Sequence, residues 1–279
     1  LGYVLTDDEF NIIEKEDVVI NPKCEFDWYI LSPKNKCQLA YSKDYFRIQP
    51  DFAAYYKDIK KLFTTGNRKT FGFAVDGDVS FINTACERAG VDYIQFAAMD
   101  IKPALENEFK EKMKLAEWCD YLKIDVSGFK AHRSVDDAEM TMLCCKALCE
   151  KLGITGDELY AKMHENVYSW EYMLDVMEER RIKKEFKAKI EKMMNKKNPF
   201  PTKCSITGKQ VEIDRNIMHD PESAYEIVKK IYDHGGMIVN KLNNNGYFII
   251  QSHIPSNVRQ KYESRNNKVL TLDELDEVL

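Results

Sequence analysis

The stretch "KTFGFAVDGDVSFINTACERAG", Lys69 to Gly90, decides the fold. Its first half is a short apolar run rich in aromatic residues. Its second half sets Phe81, Ile82, Ala85, Cys86 and Ala89 on one helical face and stops at a glycine. A strand running directly into an amphipathic helix is the building unit of an α/β domain. Asp76 and Asp78 stand at the junction, where the strand is expected to end and where open α/β sheets place their sites. Helix capping by Asp78 fits the same residues, because aspartate is a favoured N-cap.

The alternation extends to both sides of this unit. Upstream, Gly2 to Leu5 and Val18 to Ile20 are expected as strands joined through an Asp7-Asp8 turn, with extended or irregular chain to about Ile48. "DFAAYYKDIKKLFTTG" spaces Phe52, Tyr56, Ile59, Leu62 and Phe63 as a helix that stops at Gly66. Downstream, "DYIQFAAMD" reads as a strand, and helices are expected over about Lys112 to Leu122 and Asp136 to Leu152, closing the unit near residue 155. Residues Asp157 to Asn198 read as helix throughout, until the two prolines of "NKKNPFPTK" interrupt it. From Lys203 the pattern is strand ("KCSITGKQVEI"), helix ("ESAYEIVKKIYDHGG"), strand ("MIVNKLNNNGYFIIQ") and a helix-like end ("TLDELDEVL"). The expected organisation is an α/β domain over 1–155, a basic helical connector over 156–200 and a small α/β domain over 201–279.

With 44% hydrophobic and 31% charged residues, the 279-residue chain has an ordinary globular composition. No apolar run approaches the roughly 18 residues of a membrane span. The opening "LGYVLTDDEF" has neither the basic nor the apolar part of a leader, so a cytoplasmic location and no membrane partner are expected. The eight cysteines form no CxxC pair and no zinc-type spacing, and are expected as reduced core residues. A net charge of -5 does not exclude a nucleic-acid partner, because a local basic patch suffices. Between Arg180 and Lys203 ten basic residues face two acids. Lys183, Lys187 and Lys192 on that helix are the candidates for contacting phosphates, and a solvated helix face explains them as well.

A second acidic helix start lies in "AHRSVDDAEMTMLCCKALCEKLG", Ala131 to Gly153. Asp136 and Asp137 in a first turn complement the helix dipole, but His132 just upstream needs another reason. Together these features resemble the DnaQ-like 3'-5' exonucleases of the DEDDh class, over roughly Leu1 to Leu152. "HRSVDDAEMT" is similar to the third exonuclease motif, which implies His132 as general base and Asp137, rather than Asp136, as metal ligand. "DGDVSFINTACERAG" is similar to the second, and its D-x-x-F-I step selects Asp78 over Asp76. The implied fold is ribonuclease H-like, and the implied cofactor is Mg²⁺ or Mn²⁺ in a two-metal site. Two divalent cations about 4 Å apart can activate water and hold the leaving oxygen of a phosphodiester, and such cations prefer carboxylates. A histidine near its ordinary pKa can accept the water's proton at neutral pH.

The first exonuclease motif, a D-x-E on a central strand, is absent from the sequence. In the resembled fold that strand lies between the Gly2 to Leu5 strand and the Lys69 to Val75 strand, so the sequence is expected to be part of a longer chain, with the remaining ligands upstream of Leu1. The C-terminal stretch resembles a BRCT domain through "SITGKQVEI", Gly235-Gly236, "MIVNKLNNNGYFIIQ" and "VLTLDELDEVL". That resemblance implies Thr207 and Gly208 as phosphate contacts and a protein or phosphopeptide partner; turn glycines in a packing module fit the same residues. The expected activity is metal-dependent removal of nucleotides from single-stranded or 3'-ended nucleic acid, in DNA replication or repair, with the sequence from Leu1 onward expected to be inactive by itself because two metal ligands lie upstream. The rival is a non-catalytic adaptor built on a degraded exonuclease fold.

Overall fold

A computed structural model describes residues 1–26, 39–130 and 132–279. The chain divides into two compact units, Leu1–Asp175 and Val176–Leu279, the first mixing helices with two small sheets and the second with one.

The first unit opens with an antiparallel ribbon of β1 (Gly2–Thr6) and β2 (Ile12–Asp17), in register from Gly2 opposite Asp17 to Leu5 opposite Glu14. The return is tight because the Asp7 carboxylate accepts the Glu9 and Asn11 backbone N–H groups at 3.1 and 2.8 Å. The second strand therefore falls on "IIEKED" and not on Val18 to Ile20, which lie beyond the ribbon. Its charged side chains suit a ribbon face open to water. The irregular chain expected to Ile48 instead ends in α1 (Lys43–Ile48), capped by Ser42; residues 27–38 lie outside the described part. Helix α2 (Phe52–Thr64) follows, capped by Asp51.

Next come β3 (Thr70–Gly72), α3 (Asp76–Ala89), β4 (Ala97–Asp100) and α4 (Ile101–Phe109). The strand expected to run to Asp76 stops at Gly72. Ala74 takes φ +55°, a left-handed conformation that ends extended structure, and α3 begins at Asp76. Helix α4 was not foreseen in the sequence, and it starts where Asp100 caps it. Helices α5 (Leu115–Tyr121), α6 (Ser134–Leu152) and α7 (Gly156–Lys162) follow, α6 ending at Gly153 with φ +66°. The stretch read as helix from Asp157 to Asn198 is broken: after a 3-10 turn at His164–Asn166 comes a strand, β5 (Val167–Ser169), before α8 (Trp170–Met193). β5 pairs antiparallel with β4, which pairs parallel with β3, so the sheet order is β3-β4-β5. Tertiary pairing with β4 outweighed an apolar spacing that suits a helix equally well.

Met99, Leu105, Trp118, Cys144, Leu148 and Leu159 form the centre of the first core. Full burial of a Leu or Met side chain in this set contributes about 1.5–3 kcal/mol. Cys86, Cys119, Cys144, Cys145 and Cys149 are buried and unlinked, in keeping with a packing role. β1 and β3 lie in separate sheets and do not pair with each other. α6 runs beside β1, and Gly2 permits the approach, since a side chain there would collide with the Ser134–Val135 backbone.

The second unit holds the rest of α8 and then β6 (Gln210–Ile213), α9 (Arg215–Met218), α10 (Pro221–Asp233), β7 (Met237–Ile238), β8 (Tyr247–Ile250), α11 (Ser256–Glu263), β9 (Lys268–Thr271) and α12 (Leu272–Val278). The sheet is wholly parallel, in the order β7-β6-β8-β9. "MIVNKLNNNGYFIIQ" is thus two short strands. The buried Asn267 fixes the bend between them by accepting from Gly246 N at 2.8 Å and donating to Asn243 O at 3.0 Å. Ile206, Val211, Val228, Ile231, Ile249 and Leu275 fill the core, and Ile190 of α8 joins them. Among the described residues no helix is long and apolar enough to cross a membrane.

Candidate functional site

Asp76 and Asp78 both sit in the first turn of α3. Asp78 keeps access to solvent, yet its surroundings are crowded and acidic. Desolvation, followed by the charge of Asp76, pushes its carboxyl up from an ordinary 3.8 to about 6; the Leu1 amine opposes this, and Asp100 and Asp137 add lesser contributions in the same upward direction. Asp100 arrives through the parallel register that sets it opposite Gly72. It is buried, and its carboxylate accepts from Ala74 N and Lys102 N, both at 2.9 Å. One residue thus caps α4 and holds the β3–α3 turn that carries Asp76 and Asp78. Burial raises its pKa, and the two N–H donors oppose that rise.

The two acids of the α6 first turn have different surroundings. Asp136 is buried and accepts from Lys130 N at 2.9 Å, with the Arg133 guanidinium at 3.8 Å; it fastens the preceding loop. Asp137 is half-buried. Its pKa is raised by desolvation, lowered by the adjacent His132 and raised again by Asp136. His132 is exposed and takes φ +62°, a conformation in which histidine is enriched among non-glycine residues. Of the residues singled out in the sequence, the fold brings Asp78, Asp137 and His132 within electrostatic reach of one another in pairs: Asp78 with Asp137, and Asp137 with His132. Among the described residues no three His, Cys, Asp or Glu side chains converge closely enough to form a ready-made metal cage.

Asp100 was missed in the sequence, although "DYIQFAAMD" ends on an acid in the way that "FGFAVD" does. Asp17 was missed too. At the end of β2 it accepts from Tyr41 Oη at 2.6 Å, Ser134 Oγ at 2.7 Å and Arg133 Nε at 3.2 Å, tying the ribbon to the start of α6. Nothing in its local sequence announces that contact, which spans more than a hundred residues.

The basic helix needs a correction of geometry. Lys183, Lys187 and Lys192 are all exposed on α8, but at 3.6 residues per turn Lys192 points about 140° away from Lys187. Lys183 and Lys187 share a face, and Lys183 pairs with Glu179 at 3.8 Å. Lys189 lies over the rings of Phe186 and Tyr225, at 4.7 and 5.6 Å.

The implied phosphate contacts Thr207 and Gly208 are engaged within the fold. Thr207 Oγ1 donates to His234 O at 2.9 Å and accepts from Cys204 N at 2.8 Å, and Gly208 N donates to Gly235 O at 2.9 Å. These bonds close a turn between the segments before β6 and β7, and a phosphate contact through Gly208 N would have to replace its bond to Gly235 O.

Compared with protein-family models, with curated proteins and with solved structures, the chain gives no significant match in any of the three.

Proposed function

We propose that the first unit is a metal-dependent 3'-5' exonuclease domain of the DnaQ-like, ribonuclease H-like kind, acting on single-stranded or 3'-ended nucleic acid in DNA replication or repair. The observation that supports the reading is that Asp78 of α3 lies within electrostatic range of Asp137 of α6, and Asp137 within that of His132. Desolvation first, and then the neighbouring carboxylates, disfavour ionisation of Asp78, a charge that a bound cation would compensate.

The donor set suits a hard divalent cation such as Mg²⁺ or Mn²⁺. Such ions are commonly held by one or two carboxylates, with waters and substrate phosphates completing the shell, so a protein cage of three ligands is not required. Asp78 and Asp137 would hold it. When bound it supplies charge neutralisation at the phosphoryl group and a more acidic water. His132, exposed and next to Asp137, would be the group to accept a proton from the attacking water at its ring nitrogen. Asp100 holds the turn that aims Asp78, and Asp136 holds the loop that carries His132. Lys183 and Lys187 on α8 are proposed to attract the substrate backbone. The second unit, with its parallel sheet and the Thr207-Gly208 turn before the first strand, supports the BRCT-like reading, and we assign it the binding of a protein partner.

The test is hydrolysis of an end-labelled single strand with Mg²⁺ or Mn²⁺. Asp137→Asn should abolish metal-supported cleavage. His132→Ala should lower the rate by roughly 10² to 10⁴ while leaving metal affinity intact. Wild-type rates in both folded variants would overturn the reading. The adaptor alternative draws on one observation, the lack of a third converging ligand among the described residues. It predicts nucleic-acid or partner binding with no cleavage under any metal condition.

A further inference from the structure

The loop before α6 is anchored on both sides of His132. Upstream, Lys130 N donates to the Asp136 carboxylate at 2.9 Å, and Lys130 O accepts from Arg133 N at 3.2 Å. Downstream, the next two residues, Arg133 and Ser134, both donate to one carboxylate that is distant in sequence, Asp17. Tyr41 donates to it as well, and its side chain is only 8% exposed. Three donors, one of them charged, satisfy a nearly buried carboxylate, and charge-assisted bonds of this kind are the stronger class. The Arg133 guanidinium also reaches Asp136, so one side chain links the β2 carboxylate to the carboxylate that holds Lys130. Arg133 is itself the N-cap position of α6 and makes no side-chain cap bond, so the orientation of the helix start relies on these outside contacts. His132 is the residue directly before this clamp and takes a left-handed backbone conformation that sequence preference alone would not hold.

We infer that Asp17, with Arg133, Ser134 and Tyr41, is a positioning clamp that fixes His132 relative to Asp137, so that Asp17 is a positioning residue for the proton transfer assigned to His132. This rests on the exonuclease reading for its catalytic consequence but not for its structural content. The cost of misplacing a base is large: displacement by about 1 Å can reduce a rate by about 100-fold.

Asp17→Asn keeps the size of the side chain and removes its charge. Two readouts separate positioning from simple support of the fold. The first needs no activity: the ring C–H resonances of His132, assigned by comparison with His132→Ala, should shift or broaden in Asp17→Asn, while those of His164 and His219 stay in place. Unchanged His132 resonances in a folded Asp17→Asn protein would overturn the clamp. The second is a double-mutant cycle in metal-supported cleavage. Asp17→Asn should lower kcat by about 10- to 100-fold with KM and metal affinity little changed, and it should add almost nothing in a His132→Ala background, because its effect acts through that histidine. An equal loss in both backgrounds would mark Asp17 as a fold residue and overturn the inference. Cleavage absent from the wild-type protein, with the His132 resonances still moved by Asp17→Asn, would overturn the exonuclease reading and leave the clamp standing.

Discussion

Replacing Asp78 by asparagine should stabilise the metal-free protein at neutral pH. In the folded chain the Asp78 carboxyl is displaced from 3.8 to about 6 by desolvation and then by Asp76, Asp100 and Asp137. Between these values the folded state holds a proton that the unfolded state has released, so stability falls as pH rises through the window and the full penalty remains above about pH 6. Displacement on that scale corresponds to about 3 kcal/mol. Because Asp78 retains solvent exposure, screening reduces the share expressed as stability to about 1 kcal/mol. For a unit of this size that is about 2–4 °C in Tm. Thermal unfolding in chelator should place Asp78→Asn above wild type by that margin at pH 7.5, with the gap closing by about pH 4. Saturating Mn²⁺ should reverse the order, since only the wild type gains a compensated charge. A variant that is no more stable than wild type at pH 7.5 would show that the acids around Asp78 do not repel one another, and the argument for a cation would lose its footing.

Two further predictions concern the second unit and its leading helix. Lys183→Glu combined with Lys187→Glu should flatten the log-log salt dependence of single-strand binding by about 1.4, from about 0.7 per lost phosphate contact, while Lys192→Glu on the other side of α8 changes it far less; equal effects would mean that α8 does not bind by one face. Thr207→Val, which removes the bonds to His234 O and Cys204 N, should destabilise the second unit by about 1–3 kcal/mol in urea unfolding and leave inorganic phosphate binding unchanged. A stable variant that has lost phosphate binding would restore the phosphate role of this turn.

The helices that carry acids in the first turn and end at glycine were legible in the sequence. Gly90 and Gly153 terminate α3 and α6 with φ near +65°, where the spacing expected them. Strands were harder to read. β2 is exposed and charged, so it lacks the apolar alternation that marks a covered strand, and the apolar Val18 to Ile20 drew the assignment away from it. β5 is three residues long and exists because β4 offers it an edge, a fact that no local window contains. The site divides in the same way. Asp76, Asp78, Asp136 and Asp137 stand out locally as acids at helix starts, and the choice of Asp78, Asp137 and His132 among them came from the resemblance to the exonuclease motifs. Asp100 depends on the parallel pairing of β3 with β4, and Asp17 on the approach of the ribbon to α6; both are long-range contacts to which composition and periodicity are blind. Lys183, Lys187 and Lys192 are alike in charge and exposure, and only the helical angle separates Lys192 from the other two.

Binding of Mn²⁺ to the whole chain, followed by electron paramagnetic resonance with and without a single-stranded oligonucleotide, tests the central claim most directly. The account predicts saturable binding at pH 7.5 that is weakened by Asp78→Asn and by Asp137→Asn, is unaffected by His132→Ala, and declines as pH falls through about 6, where Asp78 takes up its proton. No saturable binding even with the oligonucleotide present, or binding that none of the three substitutions alters, would contradict a metal site at the starts of α3 and α6.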